Sequence, residues 1–119
     1  MIIAAVIVAG AIGALLRHLL SRRLSGSENP FPWAVLVVNV TGSAIGGLVL
    51  GLANAGAVSS EVQLILLTGF CGGLTTFSTF SVETIQLILD GKARSAVTSV
   101  VLNLVLGIGV AALTFTLTA

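Results

Sequence analysis

Charged residues fall in short stretches of the chain, and long apolar segments separate them. Met1 to Leu16 carries no charged side chain, and the apolar pattern continues past Arg17 to Leu20. Asn29 to Ser60 is uncharged; Val62 to Val82 is uncharged, Glu83 interrupts, and apolar residues resume to Leu89; Ser95 to Ala119 holds no charge. A membrane-spanning helix needs about 20 mostly apolar residues. The pattern predicts four transmembrane helices near 2–20, 33–54, 61–89 and 95–118, in a single domain over 1–119. The connections agree with this division. Ser21 to Pro32 contains Arg22, Arg23, Gly26, Glu28, Asn29 and two prolines, which reads as a polar loop. Asn54-Ala55-Gly56 reads as a turn, Ser59-Ser60-Glu61 as a helix cap, and Asp90-Gly91-Lys92 as a helix end.

Composition removes the soluble alternative. Charged residues make up 8% of the chain, against about 25% in a typical globular domain. Hydrophobic residues reach 56%, with 14 glycines besides, and the mean hydropathy is +1.18. Disorder is excluded, because it needs few apolar residues and many charges. A net charge of +1 supplies no basic patch, so no nucleic-acid partner is expected. A single cysteine, Cys71, permits neither an internal disulfide nor a Cys-rich metal site. No glycine-rich phosphate loop followed by Lys-Ser/Thr is present. One His, one Cys and four carboxylates assemble no nucleophile–base pair, so an enzyme is not expected.

Charge then orients the chain. The first segment lacks the basic start of a secretory signal, since Arg17, Arg22 and Arg23 follow its apolar core, and it is read as a retained helix. Loops 1 and 3 share one side of the membrane and carry Arg17, Arg22, Arg23, Lys92 and Arg94; the other side carries no basic side chain. The positive-inside rule puts loops 1 and 3 in the cytoplasm and both termini outside.

The polar residues inside the spans carry the candidate chemistry. Gly42/Gly46, Gly47/Gly51, Gly69/Gly73 and Gly10/Ala14 are each four apart, the spacing that lets helices approach closely in lipid. Four short helices enclose little interior, so a pathway would form between subunits and an oligomer is expected. The third segment contains Gly69-Phe70-Cys71-Gly72-Gly73-Leu74-Thr75-Thr76-Phe77-Ser78-Thr79-Phe80-Ser81-Val82-Glu83. Glycine weakens a helix by about 1 kcal/mol relative to alanine, and a broken helix in a bilayer needs protein or water to satisfy its backbone. A break near Gly72 to Thr75 is expected, with carbonyls turned inward and able to hold a cation. A simple kink with Ser and Thr bonded to the preceding turn is the plainer alternative. By helical spacing Thr76, Thr79, Phe80 and Glu83 share one face, with Phe77 beside it. Hydroxyls donate hydrogen bonds and Phe ring edges carry partial positive charge. No Lys or Arg lies in the stripe to trap an anion, so the chemistry suits an anion pathway.

Asn39 lies inside the second helix and must find partners there. It is either an interhelical hydrogen-bonding residue or a donor to a passing anion. Asn103, near Thr98 and Ser99, raises the same two options. Arg17 reads as an interfacial anchor that snorkels, His18 as interfacial and Cys71 as a packing residue.

Residues 69–83 resemble the signature of the Fluc (CrcB-type) fluoride channels. Val37-Val38-Asn39-Val40-Thr41-Gly42-Ser43 is similar to that family's helix 2 motif, and Gly10 to Arg17 to its helix 1. The resemblance implies an all-α integral membrane protein with helix 3 broken near its middle, forming an antiparallel dimer with two pores in the plasma membrane. It implies passive, fluoride-selective export of cytoplasmic fluoride and hence fluoride resistance. Carried over by motif, Phe77 and Phe80 contact fluoride, Asn39 lines the pore, Ser78 and Thr79 belong to a hydroxyl track, and Glu83 ends it. The resemblance also implies a structural sodium ion held by the backbone carbonyls of Gly72 and Thr75 from both subunits. Two features depart from the family pattern. Ala34-Val35 stands where a Gly-Thr pair is common, and the charge bias favours one orientation, which leaves homodimer and paired homologous subunits both open. The rival readings are a small multidrug-resistance-type proton-coupled exporter and a non-transporting accessory subunit. The first needs a deep carboxylate in helix 1, which is absent before Arg17; the second leaves the Thr76–Glu83 stripe unexplained.

Overall fold

The computed structural model describes residues 1–25 and 31–119. The loop signals at Gly26, Glu28 and Asn29 lie outside the described residues. The described residues are helical with no strands: α1 (Ile2–Leu24), α2 (Trp33–Asn54), α3 (Ser60–Leu64), a π-helical stretch Ile65–Cys71, the single turn α4 (Gly72–Leu74), α5 (Ser78–Leu89) and α6 (Ala93–Thr118). Four segments are long and apolar enough to cross a membrane: Ile2–Leu24, Trp33–Asn54, Ser60–Leu89 and Ala93–Thr118. Helix α1 runs past Leu20 through Arg22 and Arg23, because no residue there breaks it and basic side chains suit a helix C-terminus.

Local chemistry fixes the ends. The Ser59 hydroxyl accepts the Val62 N–H at 3.2 Å and caps α3. Gly56 and Gly91 take left-handed φ values of 75° and 76°, the conformation that costs glycine least. After α5, Gly91 N–H donates to Ile88 and Lys92 N–H to Leu87, the paired bonds of a Schellman turn. Ala57 and Gly56 repeat that pattern after α2, on Leu52 and Ala53.

Helix α2 is the buried centre, with Val35, Leu36, Val38, Gly42, Gly47 and Gly51 all enclosed. It packs on α6 through glycine. A side chain at Gly47 would strike the Ala111 carbonyl and the Thr114 hydroxyl, and one at Gly51 would strike Thr118. Helix α1 meets the third segment the same way. A side chain at Gly73 would strike the Gly10 carbonyl, and one at Gly13 would strike the Phe70 carbonyl. Gly13 is therefore a further close-contact position on α1. Such packing replaces the hydrophobic effect, which does not draw helices together in lipid. The outer faces stay apolar and exposed, with Ile3, Ile7 and Leu15 on α1 and Val97, Val105 and Ile108 on α6.

The third segment is irregular. Gly72 N–H reaches back to the Leu67 carbonyl, five residues earlier, as a π turn requires. A Cβ at Gly69 would lie 2.8 Å from the Val6 carbonyl and 2.9 Å from the Ala9 side chain, so α1 presses closely on the widened turn. Helical form continues through the glycine pair to Leu74 and stops beyond it. Thr75 has φ −84° and ψ 160°, an extended conformation, and α5 begins at Ser78.

Candidate functional site: an interrupted helix between two cavities

The interruption is held by side chains that stand in for the missing helical bonds. In a continuous helix the Thr76 N–H would close onto Gly72. Here it donates to Asn39 Oδ1 at 2.8 Å. Asn39 Nδ2 donates to the Thr76 carbonyl at 3.1 Å, so one carboxamide satisfies both backbone groups of Thr76. The Thr79 N–H, which would close onto Thr75, donates instead to the Thr76 hydroxyl at 3.1 Å. That hydroxyl caps the start of α5 and lies 3.3 Å from the Ser78 hydroxyl. The Gly72 and Thr75 carbonyls thereby lose their usual helical donors. Arg17 Nη1 approaches the Thr75 carbonyl at 3.4 Å, which links helix α1 to the interruption. The Thr75 hydroxyl donates to the Cys71 carbonyl at 2.9 Å. Helix α2 makes room for this segment at Gly42, where a side chain would strike the Thr75 methyl.

A cavity lies on each side. The first, about 320 Å³, is lined by Asn39, Ser43, Thr76, Phe77, Phe80 and Asn103. The Phe77 and Phe80 ring centroids are 6.1 Å apart at 44°. Phe77 is 79% exposed on the single chain. The second cavity, about 350 Å³, is lined by Arg17, His18, Thr76, Ser78, Thr79 and Glu83. Glu83 Oε2 is enclosed and makes no hydrogen bond among the described residues. Thr76 borders both cavities and is itself buried.

The candidate residues thus fall into two groups. Asn39, Phe77 and Phe80 meet in the first cavity; Ser78, Thr79 and Glu83 meet in the second, with Arg17. The single face expected from α-helical spacing does not form, because Thr76 lies before the helix that carries Thr79, Phe80 and Glu83. Sequence reasoning assigned no role to Ser43 and left Asn103 between an interhelical hydrogen bond, which the structure shows, and a donor to an anion. Its signal was a carboxamide in an otherwise apolar stretch of α6, four residues after Ser99. Asn103 Oδ1 accepts from Asn39 Nδ2 at 3.2 Å, and Asn103 Nδ2 donates to the Ser99 carbonyl at 2.8 Å.

No group of three or more His, Cys, Asp or Glu side chains able to hold a metal occurs among the described residues. The backbone oxygens at the interruption that lack their helical donors are those of Gly72 and Thr75, the latter approached by Arg17. Chemically, the first cavity offers ring edges beside two hydrogen-bonded carboxamides and no ionised group, and the second offers hydroxyls beside a guanidinium and the Glu83 carboxylate.

Four apolar spans, one of them interrupted between two polar cavities, define a multi-pass helical membrane protein. The family model described as CrcB-like protein, Camphor Resistance (CrcB), matches residues 4–115, and the chain belongs to this family. A relative from Clostridium novyi (strain NT), named fluoride-specific ion channel FluC, is 46% identical over 97 residues, covering 80% of this chain and 76% of its own. Fluoride-specific ion channel FluC 1 of Yersinia pseudotuberculosis serotype I (strain IP32953) is 40% identical over 114 residues, covering 95% and 90%. Fluoride-specific ion channel FluC 1 of Streptomyces avermitilis is 40% identical over 107 residues, covering 88% and 86%. Membership sets the chain among ion channels rather than enzymes.

Proposed function

We propose that this chain forms a passive, fluoride-selective channel that releases cytoplasmic fluoride across the plasma membrane. The observation that carries the reading is the pairing of Phe77 and Phe80 with a carboxamide-held interruption, in a chain whose relatives are named fluoride-specific channels. Fluoride is small and strongly hydrated. A pathway for it must replace water with donors, without a full charge that holds the ion in place. Phe77 and Phe80 supply ring edges, while Asn39 borders the first cavity with both its donors engaged. Ser78 and Thr79 supply hydroxyls in the second, where Arg17 attracts the anion and Glu83 marks the end of the track.

The conducting unit in this reading is an antiparallel dimer with two pores. The exposed Phe77 ring and the apolar outer faces supply the surface that a second subunit covers. The second subunit is another copy or an oppositely oriented homologue. A sodium ion fits the carbonyls of Gly72 and Thr75 in donor type, because both lose their helical partners and a hard cation takes oxygen ligands. The Gly72 and Thr75 carbonyls would hold the ion, which would supply positive charge beside the interruption, although Arg17 Nη1 already donates to the same Thr75 oxygen. In sodium-free buffer fluoride efflux is expected to fall while the dimer stays assembled; undiminished efflux removes the ion from this account.

Growth tests the function in a cell. Expressed in a bacterium that lacks its own fluoride exporter, the chain is expected to restore growth at fluoride levels that arrest the host. No rescue by membrane-inserted protein, alone or with an oppositely charge-biased homologue, overturns the reading.

A further inference from the structure

We propose that Asn103 is a positioning residue. It fixes the orientation of the Asn39 carboxamide, and through it the interruption at Thr76. The connection to flux rests on the channel reading above; the structural link does not.

A carboxamide has two N–H donors and one carbonyl oxygen, and its value as a clamp depends on which way it faces. Asn39 meets Thr76 with its oxygen on the N–H and its nitrogen on the carbonyl. Turned over, it would set donor against donor and oxygen against oxygen. Thr76 alone favours the observed orientation, and Asn103 enforces it from the other side. Its Oδ1 receives the second Asn39 N–H, leaving Asn39 with no unused donor. Asn103 cannot itself turn over freely, because its nitrogen is bound to the Ser99 carbonyl on its own helix at 2.8 Å. Ser99 is fully buried, so that anchor is shielded from water. The relay runs from the α6 backbone, through two side chains, to the one residue that borders both cavities. In a low-dielectric interior such linked hydrogen bonds reinforce one another.

Asn103 is not needed to hold α2 on α6. Gly47 and Gly51 already seat those helices against Ala111, Thr114 and Thr118. Removing the carboxamide should therefore loosen Thr76 without dismantling the fold.

The test reads hydrogen exchange at the Thr76 amide in the assembled protein, beside fluoride efflux from liposomes. Asn103→Ala is expected to speed Thr76 exchange about tenfold, the loss of roughly one net hydrogen bond. Efflux should fall by about tenfold or more with dimer elution unchanged. Where the alanine variant does not assemble, Asn103→Ser serves, since its hydroxyl is too short to reach Asn39. Asn39→Ala should match or exceed the acceleration, and Asn39→Ala with Asn103→Ala should exchange no faster than Asn39→Ala alone. Additive effects, or unchanged exchange in the Asn103 variants, overturn the proposal. Wild-type protein that releases no fluoride even with an oppositely oriented homologue supplied, while the variants show the predicted exchange, overturns the channel reading and leaves the relay standing.

Discussion

The two cavities flanking Thr76 are similar in size and opposite in chemistry. One holds Phe77, Phe80, Asn39 and Asn103 and no ionised side chain; the other holds Arg17, His18, Glu83 and several hydroxyl residues, Ser78 and Thr79 among them. Both border the same interrupted segment, so the difference lies in what each cavity can do to an ion. Charged groups act over distance and weaken with salt. Ring edges and amides act at contact and depend on placement. In the channel proposed above, the second cavity would act on an anion through Arg17 and hydroxyls beside Glu83, and the first through contact with ring edges.

This division gives a ranked set of expectations. The largest effect belongs to the aromatic side. Phe80→Ile is expected to reduce fluoride efflux to the protein-free background while the dimer elutes normally; near-normal flux in an assembled variant would remove the ring from the pathway. Asn39→Asp comes next. An acid oxygen in place of the nitrogen faces the Thr76 carbonyl and Asn103 Oδ1 and repels an anion, so efflux is expected to fall at least about a hundredfold, in line with loss of one fixed donor and gain of a buried charge. Unchanged flux would separate Asn39 from conduction. The smallest effect belongs to the charged side. Arg17→Gln is expected to slow efflux about threefold at low ionic strength and less as salt is raised, the screening signature of a gathering charge. An effect that salt does not diminish would show that Arg17 acts chiefly through its contact with the Thr75 carbonyl.

The spans were legible because lipid imposes a one-dimensional rule: charges bound the helices, and apolar runs of adequate length cross. The residues of the site were legible as types, since Asn39 and the Thr76–Glu83 stretch are costly in hydrocarbon without a reason. Their arrangement was not. Spacing rules assume a continuous α-helix, whereas a π turn precedes the site and an extended segment crosses it. Both depend on backbone contacts from other helices: Val6 and Gly10 against Gly69 and Gly73, and Asn39 against Thr76. The contact of Arg17 with the Thr75 carbonyl was hidden for the same reason, because that oxygen becomes available only where the helix is interrupted. Asn103 became interpretable only with Asn39 and Ser99 in view, since a lone carboxamide does not disclose which neighbour it orients.

Selective conduction is the central claim, and liposomes loaded with both fluoride and chloride test it most directly. With this chain alone in the membrane, ion-selective electrodes should record rapid fluoride release and no chloride release. Release of both ions would contradict selection by the aromatic cavity. Release of neither, from assembled protein with an oppositely oriented homologue also supplied, would contradict the channel.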